Sequence, residues 1–201
     1  MNRRLGVLIS GRGSNLQAII EAIAAGPLEA TIALVISNRP DARGLDRARA
    51  AGIATTVIEH GSFPTREIYD LALIDALRRH DVGLVCLAGF MRLLSTAFVS
   101  AFPSAILNVH PSLLPAFPGV EAQRQALDHG VKVAGCTVHF VTAALDAGPI
   151  VMQAAVPVLA DDTTATLSAR ILVEEHRLYP LAIARVLAGG WRLEGRRFLA
   201  G

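Results

Sequence analysis

The sequence is short of several things at once. It has two cysteines, Cys86 and Cys136, in 201 residues. Both lie in apolar runs without a Cys or His at metal-ligand spacing. That argues against a disulfide scaffold or a cysteine metal centre and for buried free thiols in a reducing compartment. Lysine occurs once, at Lys132, and the arginines are scattered, so that the net charge is only +2. No basic block marks a nucleic-acid footprint. No apolar run approaches the ~20 residues of a membrane helix. The first residues enter a strand and a glycine turn, without the apolar region and cleavage site of a signal peptide. The expectation is a cytoplasmic protein with no nucleic-acid or membrane partner. Charged residues are also scarce, at 18% against 52% hydrophobic, a balance that excludes disorder and lets the chain bury a sizeable core. Internal repeats, low-complexity tracts and linkers are missing too, which predicts a single domain over 1–201.

What is present is an alternation. Apolar runs at 5–10, 31–36, 55–58, 82–87 and 105–109 read as strands. Helices are expected after 13, over 42–51 with Gly52 as the stop, from a Thr65 cap to about 79, and briefly before 105. Strand alternating with helix predicts an α/β fold, a Rossmann-like open, mostly parallel sheet with helices on both faces. The pattern then changes. After a helix near 121–129, two strands at 134–141 and 150–158 have no helix between them, so an antiparallel C-terminal pair is expected. A long helix over about 163–187 and a short tail hairpin at 191–199 complete the reading.

Three stretches carry chemistry. The first is Ile106-Leu107-Asn108-Val109-His110-Pro111-Ser112-Leu113-Leu114-Pro115. Asn108 and His110 are two apart, so an extended backbone points both the same way. Pro111 ends the strand there and leaves an amide and an imidazole at the edge where open α/β sheets bind ligands. The plain alternative is a capped strand end. The second stretch, Gly11-Arg12-Gly13-Ser14-Asn15, opens the first helix. It departs from the dinucleotide pattern, because Leu16 replaces the third glycine and the second strand ends on Ser37-Asn38-Arg39 without an acid. Glycine backbone and a helix start still suit a phosphate, with Ser14 and Asn15 as donors and Asn15 as the expected cap. The alternative is a tight turn. The third is Asp146 in Leu145-Asp146-Ala147-Gly148-Pro149, either an Asx-turn or a carboxylate serving the imidazole. An amide and an imidazolium to hold an oxyanion, with a carboxylate to support proton movement, are what acyl transfer to an amine needs. With no Ser or Cys nucleophile beside this His, direct transfer is expected.

Together with Ala88-Gly89-Phe90-Met91-Arg92, these motifs resemble the folate-dependent formyltransferases, from about residue 5 to 190. The Ser10-Gly11-x-Gly13-Ser14-Asn15 start resembles the branch acting on glycinamide ribonucleotide. The resemblance implies transfer of a formyl group from 10-formyltetrahydrofolate to the amine of that ribonucleotide, in purine biosynthesis, without a metal. It implies Asn108, His110 and Asp146 as the catalytic trio. Gly13, Ser14, Asn15 and Glu175 would bind the ribonucleotide. Arg66, Met91, Arg92, Leu93, Leu94, Asn108, Thr142, Ala143, Ala144, Leu145 and Asp146 would face the folate. The N-terminal part would thus bind phosphate and the C-terminal part would bind folate and carry catalysis.

Two segments depart from the family. Val120-Glu121-Ala122-Gln123-Arg124 stands where a His-rich run is common, and Ala143 where an acid is common. His139 matches a family histidine, for which a structural role is expected. Rival readings are a formyltetrahydrofolate deformylase-like hydrolase, which normally carries an additional N-terminal domain, and a non-catalytic phosphate-ligand-binding module. A tRNA-directed relative would need a further C-terminal domain. Monomer and homodimer both remain open.

Overall fold

The computed structural model describes residues 2–200; Met1 and Gly201, the ends of the expected domain, lie outside the described residues. The strands are β1 Arg4–Ile9, β2 Thr31–Ser37, β3 Thr55–Val57, β4 Leu84–Leu87, β5 Ile106–His110, β6 Val133–Phe140, β7 Ile150–Pro157, β8 Trp191–Glu194 and β9 Arg197–Ala200. The helices are α1 Ser14–Ala24, α2 Gly44–Ala50, α3 Arg66–Arg79, α4 Thr96–Ala101, α5 Ala122–Asp128 and α6 Thr164–Ala188. One nine-stranded sheet runs β3-β2-β1-β4-β5-β6-β7-β9-β8. Strands β1 to β5 pair in parallel, and β6 pairs antiparallel with both β5 and β7. The expected α/β architecture and antiparallel C-terminal pair are therefore what the chain forms.

The order explains where a site can sit. The chain winds outward from β1 to β3, then returns to β4 on the other side of β1. Such a reversal leaves a crevice at the carboxyl ends of β1 and β4. Ser10 ties the two edges there, with its N–H donating to the Gly89 carbonyl at 3.1 Å and its hydroxyl accepting from Met91 N at 2.8 Å.

Element ends follow local chemistry. The Thr65 hydroxyl accepts from Ile68 N at 3.3 Å and starts α3, as expected. Thr163 and Thr166 form a reciprocal capping box at the start of α6. Helix α6 packs on α1, β6 and β7. Tyr179 anchors it to the sheet, its buried hydroxyl shared between the Leu87 and Leu107 carbonyls at 3.1 and 3.0 Å. Both cysteines are free and buried, and burial pushes each thiol up to about 12. The β8–β9 hairpin joins the sheet through one parallel pair, Ile150 with Arg197, and stacks Trp191 and Phe198 on Phe140.

Candidate active site

Strand β5 supplies Asn108 and His110, and Pro111 ends it at His110. Its antiparallel neighbour β6 sets His139 opposite Asn108 and Thr137 opposite His110. Antiparallel running brings the end of β6 level with Leu107, so the loop that follows must fold back for Asp146 to reach the imidazole. It does. Asp146 Oδ2 lies 3.5 Å from His110 Nδ1, and Oδ1 lies 3.7 Å from His139 Nε2. Oδ2 also accepts from Gly119 N at 2.8 Å, across 27 residues of sequence. The carboxylate thus reaches across the site instead of closing its own Asx-turn. Asp146 is left-handed at φ 47°, a conformation Asp tolerates, and Gly148 has no room for a Cβ against the Phe140 carbonyl.

Backbone carbonyls fix both imidazoles. A carbonyl oxygen can only accept, so His110 Nε2 carries the proton it donates to Phe117 O at 2.9 Å. Its Nδ1 is then the nitrogen that faces Asp146. His139 is the mirror case. Nδ1 donates to Phe140 O at 2.9 Å, which leaves Nε2 to accept from Asn108 Nδ2 at 3.3 Å. Burial, the dominant cause, holds the His139 pKa below the ordinary imidazole value, against the opposing influence of the Phe140 carbonyl and Asp146. A neutral His139 therefore orients the Asn108 amide. From the sequence alone, only a structural role is expected for this residue. The Thr137-x-His139 alternation, facing Asn108 and His110 from the next strand, is the signal that could have found it.

The glycine turn is built by close packing. Gly13 sits left-handed at φ 69°, and its missing Cβ would lie 2.5 Å from the Gly44 Cα. Gly44 N donates to Gly11 O at 3.0 Å, and Arg47 Nε donates to Arg12 O at 3.0 Å. Helix α1 begins at Ser14 with Gly13 at the cap position, which corrects the expectation that Asn15 caps it. The left-handed Gly13 starts the helix early, so Asn15 falls inside the first turn and is buried. Its amide donates instead to Glu175 Oε2 on α6 at 2.7 Å. Glu175 is 7% exposed, and desolvation, the larger cause, raises its pKa despite that hydrogen bond. A cleft of about 620 Å³ opens beside Ser14 and is lined also by Gln17, Glu21, Arg47, His176 and Arg177.

The residues expected on the folate side come from separate segments. Met91, Arg92 and Leu93 are exposed and Leu94 is half-buried between β4 and α4. Thr142, Ala143, Ala144 and Leu145 form an exposed loop ahead of Asp146, with the Thr142 hydroxyl 3.3 Å from Ala144 O. Arg66 opens α3, exposed and 3.5 Å from Glu67. Among the described residues, no three His, Cys, Asp or Glu side chains group as a metal site, and no helix is long and apolar enough to cross a membrane.

The comparisons with known proteins agree in kind. The chain is 49% identical over 190 residues to the phosphoribosylglycinamide formyltransferase of Escherichia coli strain K12, covering 94% of this chain and 87% of that one. It is 50% identical over 192 residues to the trifunctional purine biosynthetic protein adenosine-3 of Drosophila pseudoobscura pseudoobscura, of whose length it spans 14%. The crystal structure of glycinamide ribonucleotide transformylase 1 from Symbiobacterium toebii superposes with a TM-score of 0.97 at 56% identity, over 99% of this chain and 94% of that one. The family described as formyl transferase matches residues 3–183. With an amide, an imidazole and a carboxylate converging at the edge of a Rossmann-like sheet, the chain belongs to the formyl transferase family.

Proposed function

We propose that the protein transfers the formyl group of 10-formyltetrahydrofolate to the amino group of glycinamide ribonucleotide, giving formylglycinamide ribonucleotide for purine biosynthesis in the cytoplasm. The observation that carries this reading is the convergence of Asn108, His110 and Asp146 on one sheet edge. Two of the relatives named above, called a phosphoribosylglycinamide formyltransferase and a glycinamide ribonucleotide transformylase, support the transfer and its acceptor.

The chemistry follows from the donors. The neutral amine attacks the formyl carbon and forms a carbon–nitrogen bond, and the carbonyl oxygen becomes an oxyanion. Asn108 Nδ2 and a protonated His110 Nδ1 are donors for that charge, an arrangement worth several kcal/mol in a pre-organised site. Asp146 takes up the amine proton, directly or through water, and passes it towards the folate nitrogen. The bond from that nitrogen to the formyl carbon then breaks, and tetrahydrofolate leaves. Gly13, Ser14 and Asn15 would hold the ribonucleotide phosphate, and Glu175 the glycinamide end. Arg66, Met91, Arg92, Leu93 and Leu94, with the Thr142-Ala143-Ala144-Leu145 loop, would face the folate.

A steady-state assay with both substrates tests the reading. One formylglycinamide ribonucleotide should form for each tetrahydrofolate released. Tetrahydrofolate released at the same rate without the ribonucleotide would make the protein a hydrolase instead. Ligand binding without turnover would make it a binding module.

A further inference from the structure

The segment Met91-Arg92-Leu93-Leu94 has no regular secondary structure and exposes three of its four side chains. It is nevertheless held at both ends by buried side chains that the proposed chemistry does not use. At its entry, the hydroxyl of Ser10, 8% exposed, accepts from Met91 N at 2.8 Å. At its exit, Oδ2 of Asp70, 1% exposed, accepts from Ser95 N at 2.5 Å. Ser95 in turn caps α4, accepting from Phe98 N at 3.3 Å.

Asp70 is an unexpected residue to find there. A buried carboxylate is unfavourable unless its oxygens are paired. Here Oδ1 has no hydrogen-bond partner among the described residues, nor has the neighbouring Tyr69 hydroxyl. Among the described residues, the Ser95 N–H is the one donor Asp70 meets. A group so poorly matched to folding alone is a candidate for work at the site. Its position fits that work. Arg66, expected on the folate side, lies one helical turn before Asp70 on the same face of α3. One helix would therefore order the arginine and the exit of the 91–94 segment together.

We propose that Asp70 and Ser10 are positioning residues that hold the 91–94 segment in the geometry in which it binds the folate. This rests on the function proposed above. Neither side chain touches the reacting atoms. Each fixes one backbone N–H at an end of a segment that would otherwise sample many conformations. Losing either pin should therefore weaken folate binding and leave the ribonucleotide side and the chemical step alone.

The test is steady-state kinetics of wild type, Ser10→Ala, Asp70→Ala and Asp70→Asn, each substrate varied at saturating concentrations of the other. Asp70→Ala and Ser10→Ala should raise the KM for 10-formyltetrahydrofolate about tenfold, the order expected for one lost buried hydrogen bond. The kcat and the KM for the ribonucleotide should stay within about twofold. Asp70→Asn keeps an oxygen to accept from Ser95 N and should recover most of the loss. Calorimetric titration with tetrahydrofolate should give the same ranking of affinities. Equal rises in both KM values, an Asn variant as poor as Ala, or unchanged folate affinity in both Ala variants would overturn the assignment. If wild type forms no formylated ribonucleotide, the proposed function falls instead. The tetrahydrofolate titrations then still decide the pins, and a wild type that binds no tetrahydrofolate overturns them too.

Discussion

The glycine turn offers the sharpest test of how the phosphate end is built. Gly13→Val looks from the sequence like a way to block a phosphate, but Gly13 is packed from behind. Its added Cβ would meet the Gly44 Cα at 2.5 Å before any ligand arrives, at φ 69°, where L side chains are strained. The more informative perturbation is Gly44→Ala, one helix away. A Cβ at Gly44 would lie 2.6 Å from Ile9 Cδ1, 3.1 Å from Gly13 Cα and 3.4 Å from Gly11 O. Ile9 is fully buried, and the Gly13 and Gly11 contacts are backbone, so the loop must share the displacement. Forcing a methyl into such a site costs about 1–3 kcal/mol. For a chain of this size that lowers Tm by about 3–10 °C. Because the Gly44 N–H also holds Gly11 O, the displaced loop should raise the KM for the ribonucleotide about tenfold and leave the folate KM unchanged. Gly11→Ala is the control for stability, since its Cβ meets nothing within 4 Å among the described residues. Thermal unfolding and two-substrate kinetics on both variants provide the measurements. A Gly44→Ala protein with wild-type Tm and wild-type ribonucleotide KM would refute the packing argument.

His110→Ala should lower turnover about 10²–10⁴-fold, the range for a lost general acid or oxyanion donor, with both KM values little changed. Mass spectrometry during turnover should find no formyl-His110 adduct, and trapping one would contradict direct transfer. Asp146→Asn keeps an acceptor for Gly119 N but removes the charge beside His110, so turnover should drop at least tenfold with little change in Tm; near-wild-type turnover would remove Asp146 from the mechanism. The Arg170 guanidinium, bonded to both oxygens of Asp162 at 2.7 and 2.9 Å, holds that carboxyl well below the usual carboxylate range. A depressed folded-state pKa means stability that is present above about pH 4, the unfolded value, and lost as pH falls through the folded one. Wild-type Tm should therefore fall on acidification in a step that Asp162→Asn lacks, and parallel Tm curves for the two proteins would contradict it.

Much of this site is legible in the sequence because it depends on local rules. Period-two alternation and Pro111 put Asn108 and His110 together at a strand end, and Thr65 marks the start of α3 through its side chain alone. What escaped depends on contacts far apart in the chain. Asn15 reads as a cap until Gly13 turns left-handed against Gly44, a neighbour no local pattern reveals. Glu175 is a different case. Taken singly it reads as one more solvated carboxylate. Yet Leu167, Ile171, Glu175, Leu178, Tyr179 and Ala182 recur at helical spacing and are all buried, whereas Glu174 pairs with Arg177 near the surface. The periodicity of α6 already placed Glu175 on the core-facing stripe. The reach of Asp146 was the least legible feature, since it needs the fold-back of a loop that starts level with Leu107.

The locking of the two imidazoles bears on where a proton rests in the site. Phe117 O holds the His110 proton on Nε2, and Phe140 O holds the His139 proton on Nδ1. With both rings neutral, Asp146 would face the lone pair of His110 Nδ1 and lie beside a His139 Nε2 already occupied by Asn108, with Gly119 N its one hydrogen-bond donor among the described residues. The two nitrogens differ in what else they meet. His139 Nε2 already accepts from Asn108, and protonating it would set two donors against each other and free the amide to turn. Burial also disfavours a charge on His139. His110 is buried as well, at 5% exposed, but among the described residues its Nδ1 has no competing donor and faces the Asp146 carboxylate. The geometry therefore leaves His110 Nδ1, beside the carboxylate and on the same face of β5 as the Asn108 amide, as the ring nitrogen placed to serve an oxyanion held between them.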